Sequence, residues 1–286
     1  MNMNIDCVIC FQKQALRALK DIEDIKVKEK VLRSVMEMLL TQEWTKTPPE
    51  LAGEVYRVVK GISGIEDPYK ELKIKSNEII LDMYDDLKEE SLNSEDPIQH
   101  ALRLAVAGNI MDFGASEDFD VNETLERVVN ADFAYDYSDN LKEKLGTAES
   151  ILYFADNSGE IVLDKLLLEL ILKKYDIKKI TFVVKAGPII NDATMNDINQ
   201  ITISDLPNIT FKTIGNALYH ESPSRTSEEV KKWIYEHDIV IAKGQGNYEG
   251  FSIYKHLKKI FFLLMAKCPI VARDLDVEEQ SFIIYI

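Results

Sequence analysis

The fold is decided by residues 151–160, which read Ile-Leu-Tyr-Phe-Ala-Asp-Asn-Ser-Gly-Glu. The five apolar or aromatic residues predict a buried strand that ends at Ala155. The mostly apolar residues 161–175 then predict a helix. In a parallel α/β sheet, ligands bind where strands end and helices begin. The carboxylate of Asp156 and the carboxamide of Asn157 therefore stand where a hard cation could bind through oxygen.

Composition limits the classes of ligand. The chain has 286 residues, enough for one large domain or two ordinary ones, and 46% of them are hydrophobic, as in a globular protein. The net charge is −15, from 34 basic and 49 acidic residues. Because such a charge repels phosphate backbones and anionic lipid, we expect neither nucleic acid nor a membrane surface as a partner. A small phosphorylated ligand remains compatible, since a bound metal reverses the local field.

The expected location is the reducing cytoplasm. The first residues lack the basic-then-apolar pattern of a signal peptide, and apolar runs such as 260–266 are too short to span a bilayer. The chain has three cysteines. This odd number disfavours a secreted disulfide framework. Nothing in the sequence predicts an oligomeric state.

The hydrophobic pattern of the sequence changes near its middle, and we place a domain boundary between residues 147 and 148. Residues 1–147 predict helices, at 27–40, 50–62, 67–92 and 97–110. Residues 148–286 alternate short β-rich runs with helical runs, which predicts a parallel sheet with crossover helices. The predicted strands are 151–155, 180–184, 209–213, 238–242 and 260–264, with a further edge strand in 281–286. The expected fold class is α/β, a helical N-terminal domain followed by a doubly wound domain with a mainly parallel sheet.

Two later strand ends carry similar chemistry. Asn191 and Asp192 follow the second predicted strand, and Lys243 with Gly244 follows the fourth. Because parallel strands end at one edge, Asp156 and Asp192 could share an ion, and without a cation two close carboxylates would repel. Lys243 could hold a phosphoryl group as a point charge.

Each of these residues also has a purely structural interpretation. Asp156, Asn157 and Asp192 could be ordinary helix caps, and Lys243 could be a solvated lysine in a turn. The segment after residue 243 matches neither a Walker A loop nor G-x-G-x-x-G, which disfavours nucleotide binding. Gly159 would let the backbone approach an anion closely, but glycine is also common in turns.

Two further groups have weaker signals. Asn109 and Asp112 end a nearly apolar helix and could line a cleft between the two parts of the chain, or form part of a helix C-cap. Cys7 and Cys10, spaced C-x-x-C, could join Cys268 in binding a soft metal or in dithiol–disulfide exchange. The alternative is that these thiols pack as small hydrophobes.

Four motifs together resemble one known family. They are Asp156-Asn-Ser-Gly-Glu160, Lys185-x-x-Pro188-x-x-Asn191-Asp192-x-Thr194, Gly108-Asn-x-x-Asp112 and Lys243-Gly-Gln-Gly-Asn247-Tyr-Glu249. In this order they resemble the damage-control phosphatase family, long catalogued as domain of unknown function 89. Cys7-x-x-Cys10 and the segment ending at Cys268 resemble its prokaryotic, mainly archaeal, branch.

The resemblance implies a helical domain on a Rossmann-like α/β/α domain. It also implies a phosphatase that uses Mg²⁺, Mn²⁺, Co²⁺ or Ni²⁺ and acts on small phosphorylated metabolites, including sugar phosphates and damaged or side-product phosphates. The implied metal ligands are Asp156, Asn157 and Asp192, and the implied phosphate contact is Lys243. The candidate catalytic residues are thus Asp156, Asp192 and Lys243. The further candidates for the substrate pocket are Asn109, Asp112, Ser158, Gly159 and Glu160.

Several alternatives stay open at the level of sequence. Asp156 could attack phosphorus itself or orient a metal-bound water. An S-adenosylmethionine-dependent carboxyl methyltransferase is disfavoured, because the first loop has a single glycine and the second strand ends in Lys185. A thiol-dependent or metal-binding protein centred on the cysteines is the third possibility. Residues 213–226 match little in the family, so no substrate contact is assigned there.

Overall fold

The computed structural model describes residues 1–108, 121–215 and 222–286. The predicted pocket residues Asn109 and Asp112 lie outside the described residues. The described strands are β1 (Tyr135–Asp136), β2 (Ser150–Phe154), β3 (Lys179–Lys185), β4 (Ile209–Ile214), β5 (Ile239–Lys243), β6 (Ile260–Met265) and β7 (Phe282–Tyr285). Across these ranges, no helix is long and apolar enough to cross a membrane.

The strands form one sheet in the order β1-β7-β6-β5-β2-β3-β4. Neighbouring strands are parallel except for β6 and β7, which are antiparallel. The chain runs outward from β2 to β4 and then returns to begin the other half at β5. The point where the strand order reverses thus lies between β2 and β5, where doubly wound folds bind ligands.

Thirteen α-helices are described. They are α1 (Asp6–Ala18), α2 (Ile25–Thr41), α3 (Pro48–Ser63), α4 (Lys70–Asp82), α5 (Tyr84–Asn93), α6 (Pro97–Gly108), α7 (Val121–Val129), α8 (Ser138–Leu145), α9 (Glu160–Lys174), α10 (Met195–Gln200), α11 (Glu228–Glu236), α12 (Gly244–Phe251) and α13 (Pro269–Leu275). Helix α3 starts with a capping box between Thr47 and Glu50, which satisfies backbone N–H groups at its first turn.

Helix α9 is the central helix of the molecule. It is apolar on nearly all sides because it lies between the sheet and the N-terminal helices, with most of its side chains buried. Helix α6 packs against it. A Cβ on Gly108 would lie 3.0 Å from the Cα of Glu160. Gly108 at the end of α6 thus permits this close approach.

The N-terminal helices fall into two groups. Helices α1–α3 enclose a hydrophobic cluster of their own, joined by Ile189 from the loop after β3. Side chains from α4–α8 instead share one continuous core with the sheet and α9. The predicted domain boundary between residues 147 and 148 stays a prediction, and the short strand β1 precedes it.

The predicted fold class is confirmed, including the helical N-terminal part and the mainly parallel sheet. Three details differ. The stretch 67–92, predicted as one helical segment, is divided at Met83 into α4 and α5. The last strand is not at the edge, because β1 pairs with its outer side. The sequence pattern also predicts a helix over 248–257, but helix α12 begins at Gly244, since Gly244 takes a φ of 75° and turns the chain directly from β5 into the helix.

Candidate metal and phosphate site

The loops that follow β2 and β3 are joined by backbone hydrogen bonds. The N–H of Ser158 donates to the carbonyl of Asn191 at 2.9 Å, and the N–H of Ala193 donates to the carbonyl of Asp156 at 2.7 Å. Asn157 and Asp192 face each other as an isolated antiparallel bridge. The structure therefore brings Asp156, Asn157 and Asp192 together at the carboxyl edge of the sheet, beside the reversal of strand order.

The carboxylate of Asp156 lies in an excess of negative charge. The pKa of Asp156 is raised to about 7 by burial, and the nearby carboxylates of Glu160 and Asp192 add to the rise. Lys185 opposes it. Such an excess of negative charge, next to an amide oxygen, favours a hard divalent cation. The chemistry of this set of donors thus fits Mg²⁺, Mn²⁺, Co²⁺ or Ni²⁺.

The amide of Asn157 is held in one orientation. Its Nδ2 donates to Asp156 Oδ2 at 2.9 Å and to Glu160 Oε2 at 3.0 Å. Because both carboxylates occupy the NH₂ group, the carbonyl oxygen is turned away from them. That oxygen is the atom a cation would bind. Glu160 therefore orients a candidate ligand from behind the site.

Lys243 lies behind the same site, fully buried. Its Nζ donates to Glu160 Oε1 at 2.6 Å and to Asp164 Oδ1 at 2.5 Å, and the hydroxyl of Tyr153 donates to Asp164 at 2.6 Å. Burial acts to lower the pKa of Lys243, but the carboxylates of Asp164 and Glu160 outweigh it, so the pKa is raised and the lysine stays charged. Lys243 and Glu160 are not among the described residues that line the cleft. A direct phosphate contact by Lys243 stays a prediction, and these contacts favour a supporting role.

Ser158 and Gly159 are tied to the scaffold. The Ser158 hydroxyl donates to Asp197 Oδ1 at 2.7 Å, and the Gly159 N–H donates to Asn77 Oδ1 at 2.6 Å. Gly159 takes a φ of 79°, which glycine adopts without strain. Asn77 on α4 and Asp197 on α10 thereby fix the loop that carries Asp156. The predicted contact of Ser158 and Gly159 with substrate stays a prediction.

Two buried cations line the cleft in front of the carboxylates. Lys185, 5% exposed, places Nζ 3.4 Å from Asp192 Oδ2. Among the described residues, that Nζ finds no hydrogen-bond partner of standard geometry. Arg225, 8% exposed, donates from Nε to Asn247 Oδ1 at 3.1 Å. A Cβ at Gly250 would lie 2.6 Å from Arg225 Cδ, so Gly250 makes room for the arginine.

Sequence reasoning assigned no role to these two cations. Lys185 could have been found, because it ends a predicted strand beside the motif that contains Asp192. No sequence pattern indicated a role for Arg225. It lies in the stretch 213–226, which carries no recognisable motif. The N–H of Gly215, just after β4, donates to the carbonyl of Pro223 at 2.9 Å, which holds the described residues before α11 beside this edge of the sheet.

The cleft extends well beyond the carboxylates. Its volume is about 650 Å³, and it runs from Asp156 and Asp192 to α1, to the start of α3 and to the start of α13. All three cysteines line it, although Cys7 and Cys10 lie near the beginning of the chain and Cys268 near its end.

The three thiols are free. Burial raises the pKa of both Cys7 and Cys10. In the part of the chain that the structure describes, no group of three or more His, Cys, Asp or Glu is arranged to hold a metal ion. A second site formed by the thiols stays a prediction.

Comparison with known proteins places this chain in a family. The family model of the damage-control phosphatase ARMT1-like domain matches residues 3–283. A damage-control phosphatase of Pyrococcus horikoshii is 31% identical over 288 residues, which cover 99% of this chain and 97% of the relative. A damage-control phosphatase of Archaeoglobus fulgidus is 33% identical over 245 residues, which cover 84% and 83%. An uncharacterised protein of Methanocaldococcus jannaschii is 35% identical over 96% of this chain and 91% of its own.

A solved structure gives the same result. The crystal structure of a DUF89 family protein from Pyrococcus horikoshii matches with a TM-score of 0.87 and 28% identity, over 100% of this chain and 99% of the other. The chain belongs to the damage-control phosphatase family, which confirms the resemblance seen in the motifs. Membership in this family supports a phosphatase function. Assignment to the C-x-x-C branch stays a prediction.

Proposed function

We propose that this protein is a divalent-metal-dependent phosphatase that hydrolyses small phosphorylated metabolites. The observation that carries the proposal is one cleft in which two carboxylates and an oriented amide face two buried cations. Oxygen donors suit a hard cation. Buried cations suit the oxygens of a phosphate monoester. Family membership supports the same reaction.

Asp156, Asn157 and Asp192 would hold the cation. When bound, the cation supplies charge that polarises a phosphate oxygen. Lys185 and Arg225 would bind the remaining phosphate oxygens, the arginine through its planar fork and the lysine as a point charge. A direct contact of Lys243 with phosphate stays a prediction beside this proposal.

The arginine that would bind phosphate is held in place before substrate arrives. Asn247, which accepts from Arg225, also donates to the carbonyls of Lys243 at 2.8 Å and of Ala155 at 3.1 Å. The arginine is thus tied to the ends of β2 and β5. Fixed donors aimed at developing charge lose no energy to reorganisation during the reaction.

Removal of metal should abolish activity. We expect protein treated with a chelator to hydrolyse p-nitrophenyl phosphate at least about 100-fold more slowly, because a cation contributes several kcal/mol of charge stabilisation. Addition of Mn²⁺, Mg²⁺, Co²⁺ or Ni²⁺ should restore the rate. Full activity in metal-free protein, verified by elemental analysis, would contradict the proposal.

Loss of Lys185 should weaken the binding of phosphate. We expect Lys185→Met to lower kcat/KM by about 100-fold, the usual effect of removing one donor to a charged transition state. Inhibition by inorganic phosphate should weaken in parallel. Lys267→Met is the matched control, because Lys267 is an exposed lysine on the rim of the same cleft. Equal losses in both variants would show that the cleft needs positive charge in general and not Lys185 in particular.

A further inference from the structure

The cleft has two chemically different ends. The end at Asp156 and Asp192 carries the charged groups described above. The walls that lead away from it are mostly apolar. Their apolar part is formed by Ile9 on α1, by Pro48, Pro49 and Ala52 at the start of α3, by Ile190 after β3 and by Ile270 at the start of α13, while the charged residues Asp6, Lys13 and Lys267 also line the cleft. A cleft of about 650 Å³ is large enough for a ligand much bigger than phosphate.

Two isoleucines on these walls occupy energetically unfavourable positions. Ile9 is 62% exposed, although it faces the cleft. Ile190 has a φ of 47°. A β-branched residue in the left-handed region is strained by about 1–3 kcal/mol, and such strain concentrates at ligand sites. Glycine or asparagine would fit the backbone at residue 190 better, and the isoleucine there both lines the cleft and packs against the hydrophobic cluster of α1–α3.

Several polar groups of the outer cleft already form hydrogen bonds within the protein. Gln245 donates from Nε2 to Glu249 Oε1 at 3.0 Å and to Cys268 Sγ at 3.3 Å, and its Oε1 accepts from the N–H of Lys267 at 3.0 Å. The Nε2 of Gln14 donates to Cys10 Sγ at 3.4 Å, whereas its Oε1 has no hydrogen-bond partner among the described residues. A ligand rich in hydroxyl groups would have to compete for the hydrogen bonds of Gln245. An apolar ligand would only cover the walls.

We propose that the site is selective for phosphate monoesters whose alcohol part is a large apolar group, in preference to sugar phosphates. The inference rests on the proposed phosphatase function and narrows its substrate class. The phosphate lies at the Asp156 end, and the body of the ester covers Ile9, Ile190 and Ile270. Because burial of apolar surface on both partners favours such a ligand, these isoleucines determine specificity and take no part in the chemistry.

The test compares two esters of the same shape. Cyclohexylmethyl phosphate and glucose 6-phosphate both carry a primary phosphate on a six-membered ring, and they differ in the ring oxygen and hydroxyls. We expect kcat/KM to be at least about tenfold higher for cyclohexylmethyl phosphate, the range in which apolar pockets discriminate. In the variants Ile9→Asn and Ile270→Asn the ratio should fall toward one. In the control Ile253→Asn it should not change, because Ile253 is 55% exposed and is not among the residues that line the cleft.

The outcomes separate the inference from the proposed function. Three outcomes would overturn the inference and leave the phosphatase function standing. Glucose 6-phosphate could be hydrolysed as fast or faster, or neither ring ester could be hydrolysed by a protein that cleaves p-nitrophenyl phosphate. The third outcome is an unchanged ratio of kcat/KM in both cleft variants. Failure to cleave any of the three esters in the presence of metal would overturn the phosphatase function. Circular dichroism of each variant checks that its fold is retained.

Discussion

Asp156→Asn is expected to lower kcat/KM by about 1000-fold or more, because it removes one of two carboxylates that would hold the cation, and charge stabilisation by a cation is worth several kcal/mol. The backbone of residue 156 should be unaffected, since its carbonyl still accepts from the N–H of Ala193. The measurement is steady-state hydrolysis of p-nitrophenyl phosphate with saturating Mn²⁺.

Stability distinguishes this loss from unfolding. Asp156 is crowded by Glu160 and Asp192, and like charges in one site repel. Metal-free Asp156→Asn should therefore be at least as stable as the metal-free parent, and added Mn²⁺ should no longer raise its melting temperature. Asp6→Asn is the control, because Asp6 is an exposed carboxylate on the rim of the cleft. Parental activity in Asp156→Asn would remove Asp156 from the site.

Lys243→Met is expected to cost about 3–5 kcal/mol in the free energy of unfolding, because it leaves buried carboxylates without their counter-ion. Glu160 and Asp164 are both fully buried, and both accept from the same ammonium. Urea denaturation measures the loss. Activity should fall as well, since Glu160 orients the amide of Asn157.

A second substitution tests the cause. Lys243→Met combined with Asp164→Asn removes one of the orphaned charges, so part of the lost stability should return and the two effects should not add. If Lys243 instead binds phosphate directly, Lys243→Met should lose activity with a change in stability below about 1 kcal/mol. That result would support the phosphate contact that the sequence predicts for this lysine.

Much of the fold could be predicted from the sequence, because strands and helices in this chain have distinct hydrophobic periods. The apolar run before Asp156 and its repeats along the chain indicate a parallel sheet, and parallel strands necessarily end at one edge. That geometry puts Asp156, Asn157 and Asp192 at the same edge, and the pairing of β2 with β3 brings them together. The two-residue strand β1 is too short to show any period.

What the sequence could not supply was the direction of long side chains. Lys243 follows a strand as a phosphate-binding lysine would, but it turns into the interior, because Glu160 and Asp164 lie one helical turn apart on α9 and both face β5. Lys185 also ends a strand, and it is this lysine that lines the cleft. Side-chain partners that are distant in sequence decide such cases, and no local pattern encodes them.

The central claim is that Asp156, Asn157 and Asp192 hold a divalent cation, and calorimetric titration with Mn²⁺ tests it most directly. We predict one Mn²⁺ per chain in the metal-free parent and in a variant with Cys7, Cys10 and Cys268 all changed to serine. Binding should be lost in Asp156→Asn and in Asp192→Asn. Unchanged binding in both aspartate variants, or its loss in the serine variant, would contradict the account.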